Sequence, residues 1–533
     1  MPVTHIPSRS RRATGFASLA VLALAGGAFA FIPDLARAAD APARPEQLQF
    51  PPLTYTPPKA TEYRVTLSSG AVVYLVPDRE LPLVTVNVLM RIGPDLDPAG
   101  KEGLAAAMVN LLTRGGTSTR NATQIEDRVA FLGAQLESQL GGGGGGFFGG
   151  GVPIGAAESR ATLNLLSKDI DEGLGLLVDC LRNPAFQEDR VTLRRDQTLQ
   201  AMKQRNDESA QIEDREFSYL MRGETHWTNR FPTEASIKSL TRDDLIAFQK
   251  RYVGPKNFIL AVSGDFDRAA MVKKLEQAFG KWTSPGERPG APAAPSAAAT
   301  TGWFMVDKAV NQGRVSLGIR GIQRDDPDLY AMRVMNDVLG GGGFTSRLVN
   351  RIRSDEGLAY QVNTRLGEGV YYPEPFRLIF QSKVRSVAYA TQIALDEVAK
   401  MRDSLITPDE LEVSKNGFIE AFPTQFATAS AIAGQLAVDE LTGRYPKHAS
   451  YWADYRDKVR AVTASDVQRV AKRLLDPQKV TVIMVGESKD MLLGDPKHEA
   501  AKITTLAGGE PKFLPLRDPM TMKPMSTKPM PNP

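Results

Sequence analysis

The stretch Leu240-Thr241-Arg242-Asp243-Asp244-Leu245-Ile246-Ala247-Phe248 leads through Arg251 and Pro255 into the apolar run Phe258-Ile259-Leu260-Ala261-Val262, which closes at Gly264. It occurs twice. The second copy runs from Val462 to Gly486 at one constant offset and without gaps, so that Thr241 matches Thr463, Asp244 matches Asp466, Arg251 matches Arg473, Pro255 matches Pro477 and Gly264 matches Gly486. Both copies carry the same physics. A threonine caps a helix whose first turn is acidic, where free backbone N–H groups and the helix dipole favour an oxygen acceptor and negative charge. Apolar residues recur at helical spacing, as Leu245 and Phe248 in one copy and Val467 and Val470 in the other. A proline turn then feeds a buried strand, Phe258–Val262 or Val480–Val485, ended by glycine. Self-similarity at a fixed offset predicts two homologous α+β halves, each a mixed or antiparallel sheet packed with helices.

Working outward, the first half opens with a predicted hairpin. Tyr63–Leu67 and Val72–Val76 flank the turn Ser68-Ser69-Gly70, and a third strand follows over Leu83–Ile92. A helix is expected around Ile125–Leu132. Residues 283–302 are rich in Pro, Ala and Ser without hydrophobic periodicity and read as a linker. The organisation expected is a signal peptide over 1–39, an extended proline-rich segment over 40–60, a first half over 61–282, the linker 283–302, a second half over 303–505 and a disordered tail over 506–533. Methionines 520, 522, 525 and 530 sit among prolines and lysines in that tail; a soft-metal site is the alternative to disorder there.

At 533 residues the chain is long enough for several domains, and its 42% hydrophobic and 24% charged content is that of an ordinary globular protein. Its 65 basic and 61 acidic residues are interspersed, with no long basic block, which argues against nucleic-acid binding. Arg9, Arg11 and Arg12 precede an apolar run over Phe16–Phe31 and a small-x-small site at Ala36-Arg37-Ala38, the pattern of a cleavable export signal. Arg11-Arg12 also fits a twin-arginine signal loosely. The apolar run is short for a spanning helix and is broken by Gly26, Gly27 and Pro33, so no stable membrane span is expected after cleavage and a periplasmic or otherwise exported location follows. The single cysteine, Cys180, excludes an intrachain disulfide and reads as a small buried hydrophobe on a helix. The glycine run 141–151 lacks the Gly-Lys-Ser/Thr ending of a phosphate-cradling loop. A mobile surface loop, or a lip touching peptide, is the expectation.

The helix Gly103-Leu104-Ala105-Ala106-Ala107-Met108-Val109-Asn110-Leu111-Leu112 carries the next clue. So do Leu166-Ser167-Lys168-Asp169, Asn183-Pro184-Ala185-Phe186, Phe231-Pro232-Thr233-Glu234-Ala235-Ser236-Ile237 and the glycine-led Leu339-Gly340-Gly341-Gly342-Gly343-Phe344-Thr345-Ser346-Arg347-Leu348, continuing through Ile352-Arg353 to Ala359-Tyr360. Together these segments resemble the insulinase, pitrilysin and mitochondrial-processing-peptidase family of zinc metallopeptidases across nearly all of residues 60–490. In that family the helix reads Gly-Leu-Ala-His-x-x-Glu-His. Histidines at i and i+4 share a zinc ion on one helical face, and the glutamate beside them activates its water.

Here those three positions hold Ala106, Val109 and Asn110, and the family's distal glutamate ligand aligns with Ala201, or Gln200 within one residue. None of the four can do the family's chemistry, so no cofactor is expected in this chain. His226, His448 and His498 have no ligand spacing, and His498-Glu499-Ala500-Ala501-Lys502 ends in lysine. What survives is Arg353 and Tyr360, seven residues apart, which the resemblance implies face a zinc site and bind substrate backbone and oxyanion. A charged fork and a neutral donor suit that task.

Some relatives are heterodimers in which one subunit carries zinc and the other supplies this pair. The resemblance therefore implies half of a peptidase clamshell: a non-catalytic subunit, inactive alone, whose partner is a homologous zinc-bearing subunit and whose substrate is a peptide. The alternative is a non-proteolytic peptide-binding or scaffold protein of the same fold. An independent enzyme is disfavoured because no nucleophile–base constellation or cofactor fingerprint is visible.

Overall fold

The computed structural model describes residues 54–142, 152–282 and 286–526, and residues 55 onward form one compact unit. The expected signal peptide, most of the 40–60 segment and the bulk of the glycine run lie outside the described residues. No helix among the described residues is long and apolar enough to cross a membrane.

The first half runs α1 (Ala60–Tyr63), β1 (Arg64–Thr66), β2 (Val72–Pro77), β3 (Leu83–Met90), α2 (Leu104–Leu112), α3 (Ala122–Phe131), β4 (Gln135–Leu140), β5 (Ser159–Leu166), α4 (Ile170–Arg182), α5 (Glu188–Lys203), α6 (Ser209–Arg222), α7 (Glu234–Ser239), α8 (Arg242–Tyr252), β6 (Phe258–Gly264) and α9 (Arg268–Phe279). The second runs β7 (Gly302–Asp307), β8 (Gln312–Gln323), α10 (Leu329–Asn336), β9 (Ala359–Arg365), β10 (Glu368–Gly369), β11 (Glu374–Lys383), α11 (Val387–Asp403), α12 (Pro408–Ala421), α13 (Ala429–Leu441), α14 (Tyr451–Arg460), α15 (Ala464–Leu474), β12 (Thr481–Gly486), α16 (Ser488–Leu493), α17 (Ile503–Ala507) and β13 (Lys512–Phe513).

The sheets have matching orders, β1-β2-β6-β3-β5-β4 and β13-β7-β12-β8-β11-β9. In each, an equivalent parallel pair (β2 with β6, β7 with β12) adjoins a run of antiparallel pairs, and the second sheet adds the parallel pairs β13 with β7 and β10 with β8. The repeated capping signal is realised in full: Thr241 and Thr463 each accept the N–H of the aspartate three residues on, and the side chains of Asp244 and Asp466 reach back to the threonine N–H.

Strand side chains alternate between faces, and here both faces are buried. Val73, Leu75, Leu260 and Val262 point into the large first core with α2, α4, α8 and α9. Their neighbours Val72, Tyr74, Val76, Ile259 and Ala261 pack instead against Ala433, Leu436, Ala437 and Leu441 of α13, a helix from the second half. The second sheet mirrors this: Val482 and Met484 face their own helices, while Phe304, Val306, Ile483 and Val485 are covered by Ile212, Phe217, Leu220 and Met221 of α6, from the first half. A Cβ on Gly318 of β8 would lie 2.3 Å from the Phe217 ring, so glycine there is what lets α6 approach the sheet.

Each exchanged helix also carries a glutamate that locks onto the sheet it covers. Glu440 of α13 accepts from Arg64 Nε at 3.0 Å and from Tyr74 Oη at 2.8 Å. Buried Glu213 of α6 accepts from Ser316 Oγ, from Arg314 Nε at 2.7 Å and from Arg377 Nη2 at 3.3 Å.

Within the stretch expected to be a linker, residues 286–301 contain no helix or strand, and residues 283–285 lie outside the described residues. The tail expected to be disordered does not behave so over residues 506–526. β13 extends the second sheet beside β7, Leu514 N donates to Met305 O at 2.8 Å, and Met520 O accepts from Glu234 N at 2.8 Å. Arg517 lies over the Tyr219 ring at 3.9 Å and meets Glu216 at 3.2 Å. A sheet edge to pair with, and a buried carboxylate to neutralise, order a segment whose composition reads as loose. Residues 527–533 lie outside the described residues.

Removing Glu213 leaves Arg314 without its carboxylate partner and Arg377 with Asp214 alone. Glu213→Ala is therefore expected to lower the unfolding free energy by about 3–5 kcal/mol, read from chemical denaturation.

Candidate functional site

Helix α2 starts where Gly103 adopts a left-handed φ of 101° and the buried Asp97 carboxylate accepts the N–H groups of Gly103 at 2.8 Å and Ala105 at 2.7 Å. That caps two donors of the first turn. Burial pushes the Asp97 carboxyl up to about 6. Within the helix, Val109 is fully buried in the first core and its carbonyl accepts from Ser138 Oγ of β4. Ala106 and Asn110 are half-exposed, and Asn110 makes no side-chain hydrogen bond.

Ala106 and Ala107 border a cavity of about 50 Å³ whose α5 wall is formed by Val191, Arg194, Arg195 and Thr198. Ala201, assigned from sequence to the distal ligand position, lies on the exposed side of α5 and does not line this cavity. The helical repeat brings Val191, Arg194, Arg195, Thr198 and Met202 towards α2, so a distal ligand would have to stand at one of those positions. A methyl, an isopropyl and one carboxamide, beside a cavity whose α5 wall carries two guanidinium groups, do not fit a zinc ion, which takes imidazole, thiolate or carboxylate donors. Among the described residues no group of three or more His, Cys, Asp or Glu side chains could hold a metal ion.

The remaining histidines are occupied elsewhere. His226 Nδ1 lies 2.7 Å from Thr228 Oγ1 and Nε2 lies 3.1 Å from Ala293 O; burial lowers its basicity. His448 sits 3.2 Å from Asp325, and His498 stacks on Tyr389 with centroids 3.6 Å apart. Cys180 is buried in the first half, where desolvation pushes its thiol up to about 12 and leaves it unreactive.

The second half presents a different site. After α10 the backbone passes through a π-helical turn at Asp337–Gly341 and the short helix Gly343–Thr345. Gly343 takes a φ of 63°, open to glycine at no cost, and a Cβ on Gly340 would lie 2.8 Å from the Thr364 side chain on β9. The glycine run therefore lets this loop close against β9. A second π-helical turn, Val349–Asp355, carries Arg353, and β9 carries Tyr360.

The structure brings the two together. The Arg353 guanidinium lies 4.8 Å from the Tyr360 ring centroid and 4.8 Å from that of Phe344. Both rings are largely exposed, at 79% and 70%. Among the described residues Arg353 has no side-chain hydrogen bond and no ion pair, so its donors are free while its plane is held by two aromatic faces. Nor does any hydrogen bond, ion pair or ring contact link this cluster to Ala106, Val109 or Asn110. Sequence reading missed Phe344, although its place directly after the glycine run is a signal that an exposed aromatic is being displayed. It also missed Arg194 and Arg195.

With this geometry in place, comparison with known proteins shows what the chain is similar to. A family model described as the peptidase M16 inactive domain matches residues 239–418, from the end of α7 through the Arg353–Tyr360 segment into α12. Over that segment the chain resembles M16 peptidases. An "uncharacterized zinc protease" of Rickettsia bellii is 23% identical over 407 residues, covering 75% of this chain and 92% of the relative. A probable mitochondrial-processing peptidase subunit beta of Arabidopsis thaliana is 22% identical over 454 residues, covering 81% of this chain and 80% of the relative. The crystal structure of a peptidase M16 inactive domain from Pseudomonas fluorescens superposes with a TM-score of 0.67 at 22% identity, covering 79% of this chain and 97% of that one.

An arginine held by two exposed rings contributes little to folding, because exposed cation–π contacts are worth roughly 0.5–1 kcal/mol. Phe344→Ala and Tyr360→Ala are each expected to leave the unfolding free energy within about 1 kcal/mol of the parent, measured by denaturant titration. A much larger loss would make the cluster structural.

Proposed function

We propose that this chain is the zinc-free subunit of an exported heterodimeric metallopeptidase, and that Arg353 and Tyr360 act on peptide held at a homologous partner's zinc site. The observation that carries this reading is the state of Arg353. A guanidinium with free donors, oriented by Phe344 and Tyr360 and displayed at the surface, is arranged to receive a ligand rather than to stabilise its own fold.

In this reading the chemistry divides between two chains. The partner holds the metal and the hydrolytic machinery. This chain contributes a charged fork and a phenolic donor aimed at a substrate carbonyl, whose oxygen gains negative charge as it is attacked. Such donors act most strongly when fixed in advance, which is what the two rings and the glycine-closed loop provide. Support also comes from α2, where Ala106, Val109 and Asn110 offer no ligand set, so the chain alone is inactive and binds no zinc. The Arabidopsis relative, by its name, is one subunit of a peptidase. The Arg9–Ala38 export pattern supports a periplasmic or otherwise exported location for the complex.

Arg353→Ala combined with Tyr360→Phe, in the complex reconstituted with its partner, is expected to lower kcat/KM for peptide hydrolysis about 100- to 1000-fold while the zinc content of the complex stays unchanged. Unchanged turnover would remove the pair from catalysis and favour a peptide-binding or scaffold role.

A further inference from the structure

The cavity between α2 and α5 is electrostatically inverted relative to a metal site. Arg194 and Arg195 line it, with Thr198, from α5. Arg195 donates from Nη2 to Leu240 O at 2.8 Å, but among the described residues Arg194 has no side-chain hydrogen bond, and the Nε of both is buried without a partner there. Among the described residues neither arginine, nor the neighbouring Arg114, takes part in an ion pair. Burial and the Arg114 charge together weaken the hold of Arg194 on its proton, and no carboxylate offsets them. The Thr198 hydroxyl is already committed to Arg194 O at 2.8 Å. Half-buried cations gathered without counter-charge are costly to keep unless something brings the charge in.

We propose that this cavity is an oxyanion site that takes the carboxylate of an acidic peptide residue. Its volume of about 50 Å³ has room for roughly three or four water-sized groups, enough for a carboxylate head. The other walls are apolar, formed by Ala106, Ala107, Leu111, Val191, Ile237 and Leu240. Such walls suit the methylene stem of a glutamate better than a free, fully hydrated ion. A bidentate guanidinium–carboxylate contact would satisfy the orphaned donors of Arg194. The site belongs to this chain alone and stands or falls independently of a zinc-bearing partner.

The test uses the full chain without partner, with thermal unfolding followed at constant ionic strength. The probes are a blocked Ala-Glu-Ala peptide, its Ala-Gln-Ala counterpart and inorganic phosphate. Near-saturating glutamate peptide is expected to raise the midpoint by about 1–3 °C, and the glutamine peptide is not. Arg194→Gln, which loses no hydrogen bond, should fold at least as stably and lose the shift. Arg194→Lys keeps the charge and retains part of it, and provides the comparison should Arg194→Gln fail to fold. A shift with phosphate but not with the glutamate peptide would overturn the peptide source and leave a free oxyanion as the occupant. Equal shifts in parent and Arg194→Gln, or none with any probe, would overturn the site.

Discussion

The rest of the structure depends on an exchange of helices. Helix α13 covers the outer face of the first sheet and α6 covers that of the second, each anchored by a glutamate, Glu440 or Glu213, against cationic or hydroxyl groups of the sheet it covers. Without its borrowed helix each sheet would expose a continuous row of large apolar side chains, among them Val72, Val76 and Ile259 in one and Phe304, Ile483 and Val485 in the other. Burial of such rows is the dominant favourable term in folding. The two halves are thus homologous in sequence but not separable in energy, and the functional surfaces of both ride on one frame.

On that frame the halves have diverged in opposite senses. The position in the first half that would have to gather electron-rich donors around a cation holds Ala106, Val109 and Asn110, and of these Ala106 borders a cavity lined by two arginines. The second half keeps an arginine that its own fold does not use. Arg353 is oriented by Phe344 and Tyr360 but hydrogen-bonded by neither, so its donors remain available. A chain that lacks a zinc ligand set at α2 while displaying a pre-oriented arginine is, on the proposed reading, chemically coherent as one part of a composite site.

Much of this was legible in the sequence. The repeat Leu240–Gly264 and Val462–Gly486 announced two equivalent halves because caps, helical periodicity and buried strands leave local signals, and the sheet orders bear it out. The hairpin, the third strand and α3 fell close to where turn residues and alternation placed them. The helix exchange was not legible. The pattern of Ile212, Phe217, Leu220 and Met221 says that one face of α6 is buried, not which sheet buries it. Ala201 was placed by alignment across the glycine insert, and helical phase turns it outward. The tail, rich in Met and Pro, read as loose because composition cannot show that a sheet edge and Glu216 await it.

The most direct test of the central claim is recovery of the tagged protein from its native host, followed by zinc analysis and a peptide-cleavage assay on the recovered material. The account predicts a complex with a zinc-bearing homologue that cleaves peptide and is silenced by chelator, with no zinc on the isolated chain. Stoichiometric zinc and chelator-sensitive cleavage by the isolated chain would contradict it.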